Sequence, residues 1–227
     1  MKTVKIIIAL FCLSLSLTAS AQLTKEQLKE RKELRKQSQK ELHQKATKEA
    51  RKEAKKLKKQ GWQTTPGTLP VEKQLDRSFL MQMEYDDDLF PKYLMAEAMS
   101  TGENYDGAKM QAIELAKQNL AGQIQTEVTA LVENSVANSQ LEAGEAATVT
   151  KSIMAGKSLI SQSLGRVLPV VEVYRVVDKK TNKNKEVLVR LAYDSKKAKE
   201  AAKKAVRAGL SEESEALQNK LDNVMGW

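Results

Sequence analysis

The chain offers few side chains with which to do covalent chemistry. His43 is its only histidine and Cys12 its only cysteine. His43 lies between Leu42 and Gln44 among lysines, a solvated setting. Zinc sites and Cys–His nucleophile pairs need several such side chains to converge, and the sequence has no G-x-S-x-G elbow. Three adjacent aspartates, Asp86, Asp87 and Asp88, suggest calcium at first sight. A calcium loop needs alternating ligands, a glycine and a distal Glu, which this segment lacks. The carboxylate pairs Asp86/Asp88 and Glu142/Glu145 have the residue types of a glycosidase, but such a pair must face across a cleft.

Two fragments imitate half of a phosphate loop. In Gly102–Lys109 the lysine is displaced by one residue and Met110 replaces the Ser or Thr. Gly156-Lys157-Ser158 has the correct ending, but Lys151 stands where the leading glycine belongs. An amide cradle needs both halves. No catalytic residue, metal or cofactor is therefore expected. A hydrolase using the acidic residues at 84–88 is the rival reading.

What the sequence does concentrate is positive charge. Thr24–Gln60 holds fifteen Lys or Arg against six Glu, whereas the chain from Gly61 onward holds 21 basic and 23 acidic residues. Lys48, Arg51, Lys52, Lys55, Lys56, Lys58 and Lys59 form the densest part. Inside a cell such a cluster would suit nucleic acid. The N-terminus argues for a different compartment. Lys2 and Lys5 precede an apolar run that ends at Ala19-Ser20-Ala21, the order of a secretory signal peptide. Cys12 lies within it after Phe11, a setting unlike a lipidation site. The expected mature chain begins at Gln22 and is exported, periplasmic or outer-membrane associated, or secreted. The expected partner is an anionic envelope surface (lipid head groups, lipopolysaccharide or cell wall) or an envelope protein, not nucleic acid. A homo-oligomer joined through the basic segment is the other alternative.

The elements that must position these cations follow from periodicity. Residues 22–60 are rich in helix formers and lack Pro and Gly, which predicts one basic helical arm. Thr24 is its expected N-cap, with Gln27 as capping-box partner. Leu42, Ala46, Ala50, Ala54 and Leu57 make only a thin apolar stripe, so the arm reads as a solvated helix and not a strong coiled coil. Gly61 is expected to end it and Trp62 to pin it to the body. Residues 61–70, with Pro66, Gly67 and Pro70, read as a linker.

The rest reads as an α+β domain over 71–210, with a small, mainly antiparallel sheet packed against helices, and a C-terminal helix over 211–227. Val71–Met83 is a helix and Lys92–Thr101 a strand. Asp106 is the expected N-cap of a long helix that buries Ala108, Ala112, Ala116, Leu120, Ile124, Val128, Leu131 and Val136. A second helix is expected from Leu141 to Leu164. Arg166–Asp178 and Lys185–Asp194 read as a hairpin around Lys179–Asn184, with Pro169 placing the first strand at an edge or bulge. Ser195–Leu210 is a further helix, and Ser211 the expected cap of the last one.

The segment KYLMAEAMSTGENYDGAKMQAIELAKQNLAGQI, with the paired strands VVEVYRVVD and KEVLVRLAYD, resembles the LPP-twenty family of envelope lipoproteins and the N-terminal module of the flagellar assembly protein T. The resemblance spans roughly residues 90–195. It implies a compact module that acts by contacts with other envelope components, without catalysis. The chain departs from that pattern by lacking a lipidation cysteine and by adding the basic arm.

Overall fold

The computed structural model describes residues 25–86, 89–177, 183–210 and 215–225. The expected signal peptide, the Thr24 cap, Asp87, Asp88, Ser211 and Trp227 lie outside those residues. The chain divides into two compact units, Met1–Lys45 and Ala46–Trp227. In the first unit the described element is helix α1 (Lys25–His43). Leu28 and Leu42 on it are about half exposed, at 51% and 53%.

The basic arm is not one helix, and it does not end where the body begins. A second helix, α2 (Lys48–Lys59), starts afresh inside the larger unit. Thr47 is its N-cap, and its side chain accepts from the Ala50 amide at 3.4 Å. Asp76 Oδ1 accepts the Thr47 amide at 2.9 Å, so a carboxylate sits at the positive end of α2. Local propensity favours continuing the helix through 44–47; the side-chain cap and this long-range bond favour a restart.

Helix α3 (Val71–Gln82) follows, then strand β1 (Tyr93–Gly102) and the 33-residue helix α4 (Tyr105–Ala137). Asn104, not Asp106, caps α4: its Oδ1 accepts the Gly107 amide at 2.8 Å. The buried stripe runs through Ala108, Ala112, Ala116, Leu120, Ile124 and Val128 as expected, then continues at Val132. Leu131 is 40% exposed, because the four-residue step from Val128 reaches Val132. The single helix expected over 141–164 is two, α5 (Ala143–Ala155) and α6 (Lys157–Ser163). They meet at Gly156, where a Cβ would lie 3.1 Å from Ser152 O.

Strands β2 (Leu168–Val176) and β3 (Lys185–Asp194) complete an antiparallel sheet of order β1-β3-β2. β2 is an edge strand and its register slips between Pro169 and Val171, as the proline suggests. Helices α7 (Ser195–Gly209) and α8 (Glu215–Met225) close the described chain. The architecture is α+β.

Alternation along β3 divides the core in two. Val187, Val189, Leu191 and Tyr193 pack with the buried faces of α4 to α8. Leu188, with Val171 and Val173 of β2, packs against α2 and α3. Each large aliphatic buried in this way is worth roughly 1.5–3 kcal/mol. The sheet thus carries helices on both faces, and α2 belongs to one of those layers. Among the described residues, no helix is long and apolar enough to cross a membrane.

Candidate anion-binding surface

Helix α2 has two sides of opposite character. Successive residues turn by about 100°. Ala46, just ahead of α2, and Ala50, Ala54 and Leu57 therefore share one side, which packs with Trp62, Val71, Leu75, Val171 and Val173. In angular order Lys58, Arg51, Lys55, Lys48, Lys59, Lys52 and Lys56 fill an arc of about 160° opposite that seat. All seven are exposed. Glu49 and Glu53 lie together beyond Lys56, leaving the arc itself free of carboxylates. Lys56, Lys58 and Lys59 occupy the last turn, where the helix dipole favours cations.

The end of α2 turns the chain back onto its own seat. Gly61 has φ +89°, the left-handed conformation that favours glycine. The Gly61 amide donates to Lys58 O at 3.1 Å and the Trp62 amide to Leu57 O at 3.1 Å. This is the Schellman pattern, and it brings Trp62 against Leu57 in the same apolar cluster. Trp62 is buried at 5% exposure, the anchor on the body that the sequence suggests. Arg175 of β2 stacks over its ring at 4.7 Å and pairs through Nε with Glu186 at 2.5 Å.

The segment after Trp62 is fastened to the sheet. Gln63 and Tyr174 exchange two backbone hydrogen bonds, each 2.9 Å, at the outer edge of β2. Nearby, the Tyr105 hydroxyl donates to Glu172, which also pairs with Lys109 Nζ at 2.9 Å. Gln74 Oε1 accepts the Glu172 amide at 2.7 Å, tying α3 to the same strand. Burial first, and then the Glu172 hydrogen bond, push the Tyr105 phenol well above its ordinary 10.0. This cluster ties α4, β2 and α3 together.

On the flank facing α3, Arg51, Lys55, Lys58 and Lys59 border an open hollow of about 450 Å³ together with Ala54 and Glu72. Lys58 Nζ lies 2.9 Å from Glu72 Oε2. That hydrogen bond, partly opposed by burial, holds the Glu72 carboxyl below its ordinary 4.5. Arg51 Nε donates to Ala46 O at 3.1 Å, which draws the guanidinium back along the helix. Lys56 reaches Glu53 at 3.7 Å, a loose surface pair.

The chain matches no known family model, curated protein or solved structure.

The other residues singled out in the sequence find separate places. His43 is exposed at the end of α1. Asp86 Oδ1 accepts the Phe90 amide at 2.9 Å and so organises a turn. Glu145 Oε2 accepts the Glu142 amide at 3.0 Å, which makes that pair a helix cap. Gly102–Lys109 is the end of β1 and the start of α4, and Gly156–Ser158 is the α5–α6 junction; neither forms a cradle. Among the described residues, no three His, Cys, Asp or Glu side chains cluster as metal ligands. Two residues around α2, Glu72 at the hollow and Arg175 over the Trp62 ring, escaped sequence reasoning. Glu72 carried a signal, as the acid in the first turn after Pro70. Arg175 carried none beyond its place in a strand.

Proposed function

We propose that the protein is an exported, non-catalytic cell-envelope protein that attaches electrostatically to an anionic surface through α2. Its α+β body supplies contacts with other envelope components. The observation that carries this reading is the one-sided arc of seven cations on a helix whose opposite side is fixed to the body. A solvated spacer would spread its charge around the axis; a seated helix presents it in one direction. Each Lys or Arg near an anionic leaflet is worth about 1 kcal/mol, screened by salt. The charge order at the N-terminus supports export, and the resemblance of residues 90–195 to the LPP-twenty pattern supports an adaptor module.

The test is co-sedimentation of the mature chain with phosphatidylglycerol-containing vesicles and with pure phosphatidylcholine vesicles. Changing Lys48, Lys52, Lys55 and Lys59 together to Gln is expected to lower affinity for the anionic vesicles by at least about tenfold at low salt. Equal binding by the variant and the parent chain rejects the reading. N-terminal sequencing of the native protein checks export; retention of Met1 would contradict it.

A further inference from the structure

The hollow beside α2 is more specific than the arc as a whole. Four cations border it: Arg51, Lys55, Lys58 and Lys59. The single carboxylate on its lining, Glu72, comes from the first turn of α3 and bonds Lys58 at 2.9 Å. The floor is Ala54, which has no side-chain bulk to fill the space. Three of the four bordering cations have no counter-ion on that lining, and the fourth has one supplied by the protein itself. A carboxylate held among cations marks where an anion is stable.

We propose that this hollow is a discrete phosphate-monoester or phosphodiester site, in which the Glu72 carboxylate is a resident competitor that an incoming phosphate displaces from Lys58. The proposal rests on the surface-attachment reading and deepens it, from attraction by a charged face to recognition of one head group at one place. The chemistry favours phosphate over a neutral glycan because every bordering donor is cationic. Lys55, Lys58 and Lys59 supply compact ammonium donors, and Arg51 a planar guanidinium that can bond two oxygens at once. No bond is made or broken: Lys58 exchanges one anionic partner for another, and Glu72 turns to solvent.

Backbone amide NMR of the mature chain, titrated with glycerol phosphate, tests this. Saturable shifts confined to Arg51, Lys55, Lys58, Lys59, Val71 and Glu72 are expected. Glu72→Gln is expected to tighten the apparent Kd about fivefold, and Lys58→Gln with Lys59→Gln to weaken it by at least about tenfold. Lys196→Gln with Lys197→Gln on α7, both exposed, serves as a charge-matched control and leaves the titration unchanged. The same variants on phosphatidylglycerol vesicles separate a lipid head group from a free phosphate as the source. Tighter vesicle binding by Glu72→Gln identifies the lipid, and an effect seen with glycerol phosphate alone identifies the soluble ester. Non-saturating shifts spread along all of α2, or a Glu72→Gln titration identical to the parent, overturns the discrete site. Vesicle binding would survive that result if the attachment reading holds, and would be lost if attachment itself is wrong.

Discussion

Helices α1 and α2 are written in nearly the same alphabet of Lys, Glu, Arg and Gln, yet among the described side chains of the two only α2 has buried ones, Ala50 and Ala54. The difference lies in where the few apolar residues fall. In the sequence of α1 the leucines at 28, 34 and 42 are six and eight residues apart, and Leu28 and Leu42 are about half exposed. At α2, Ala46, Ala50 and Ala54 recur every fourth residue, with Leu57 three further on. Alanine contributes little area per residue but allows close approach, so α2 can lie against β2 and α3. Charge content does not seat α2; the spacing of its small residues does.

The sharpest way to break the contrast is to spoil the seat. Ala50→Asp places an unpaired carboxylate at a fully buried position and is expected to cost about 3–5 kcal/mol, read as a lower midpoint in urea unfolding. Leu28→Asp on α1 should change the unfolding free energy by less than about 0.5 kcal/mol. Comparable losses from the two substitutions would remove the distinction. Trp62→Ala removes the anchor and should cost about 3 kcal/mol, with earlier proteolysis on the Lys-rich side of residue 62.

Smaller changes sharpen it. Thr47→Ala deletes the cap that restarts the helix and should cost about 1 kcal/mol. The Tyr105 contribution depends on pH in a definite direction. Its phenol is raised above 10.0 in the folded chain, so the unfolded chain loses its proton first as pH rises. Stability from this group is fully present below pH 10.0 and declines above it. Tyr105→Phe should flatten that alkaline decline in a series of thermal melts. Glu72 gives the smallest effect and the opposite sign. Its carboxyl is lowered by Lys58, so the stability it adds is present above pH 4.5 and fades below it. Glu72→Gln should remove a fraction of 1 kcal/mol of acid sensitivity, as expected of an exposed pair.

Much of the body could be read from period alone. Val187, Val189, Leu191 and Tyr193 alternate cleanly, and the alanine-led stripe of α4 repeats every fourth residue, so β3 and α4 stood out. Pro169 correctly placed β2 at an edge with a slipped register. The restart at Thr47 was hidden because every residue from 44 to 47 tolerates a helix, and the partner that decides against it, Asp76, lies 29 residues away. The break at Gly156 was hidden for a similar reason, since apolar spacing continues through it to Ile160 and Leu164. The seven cations of the candidate surface were visible as composition. Their shared direction was legible only in part: Ala46, Ala50 and Ala54 read as a thin apolar stripe, but its role as a seat depends on Val171 and Val173, far away in the sequence.

The seat of α2 has a consequence for the order in which the protein can assemble. One part of its wall, Trp62 with Val71 and Leu75 of α3, follows closely in the chain; the other, Val171 and Val173, lies more than a hundred residues downstream of Ala50 and Ala54. A polypeptide that emerges from its N-terminus can therefore lay this helix on α3 well before the strand that completes its seat exists. Closing that long loop is slow compared with forming local helical turns. The cationic side is thus available to any anion it meets throughout the interval in which the alanine side is only partly covered.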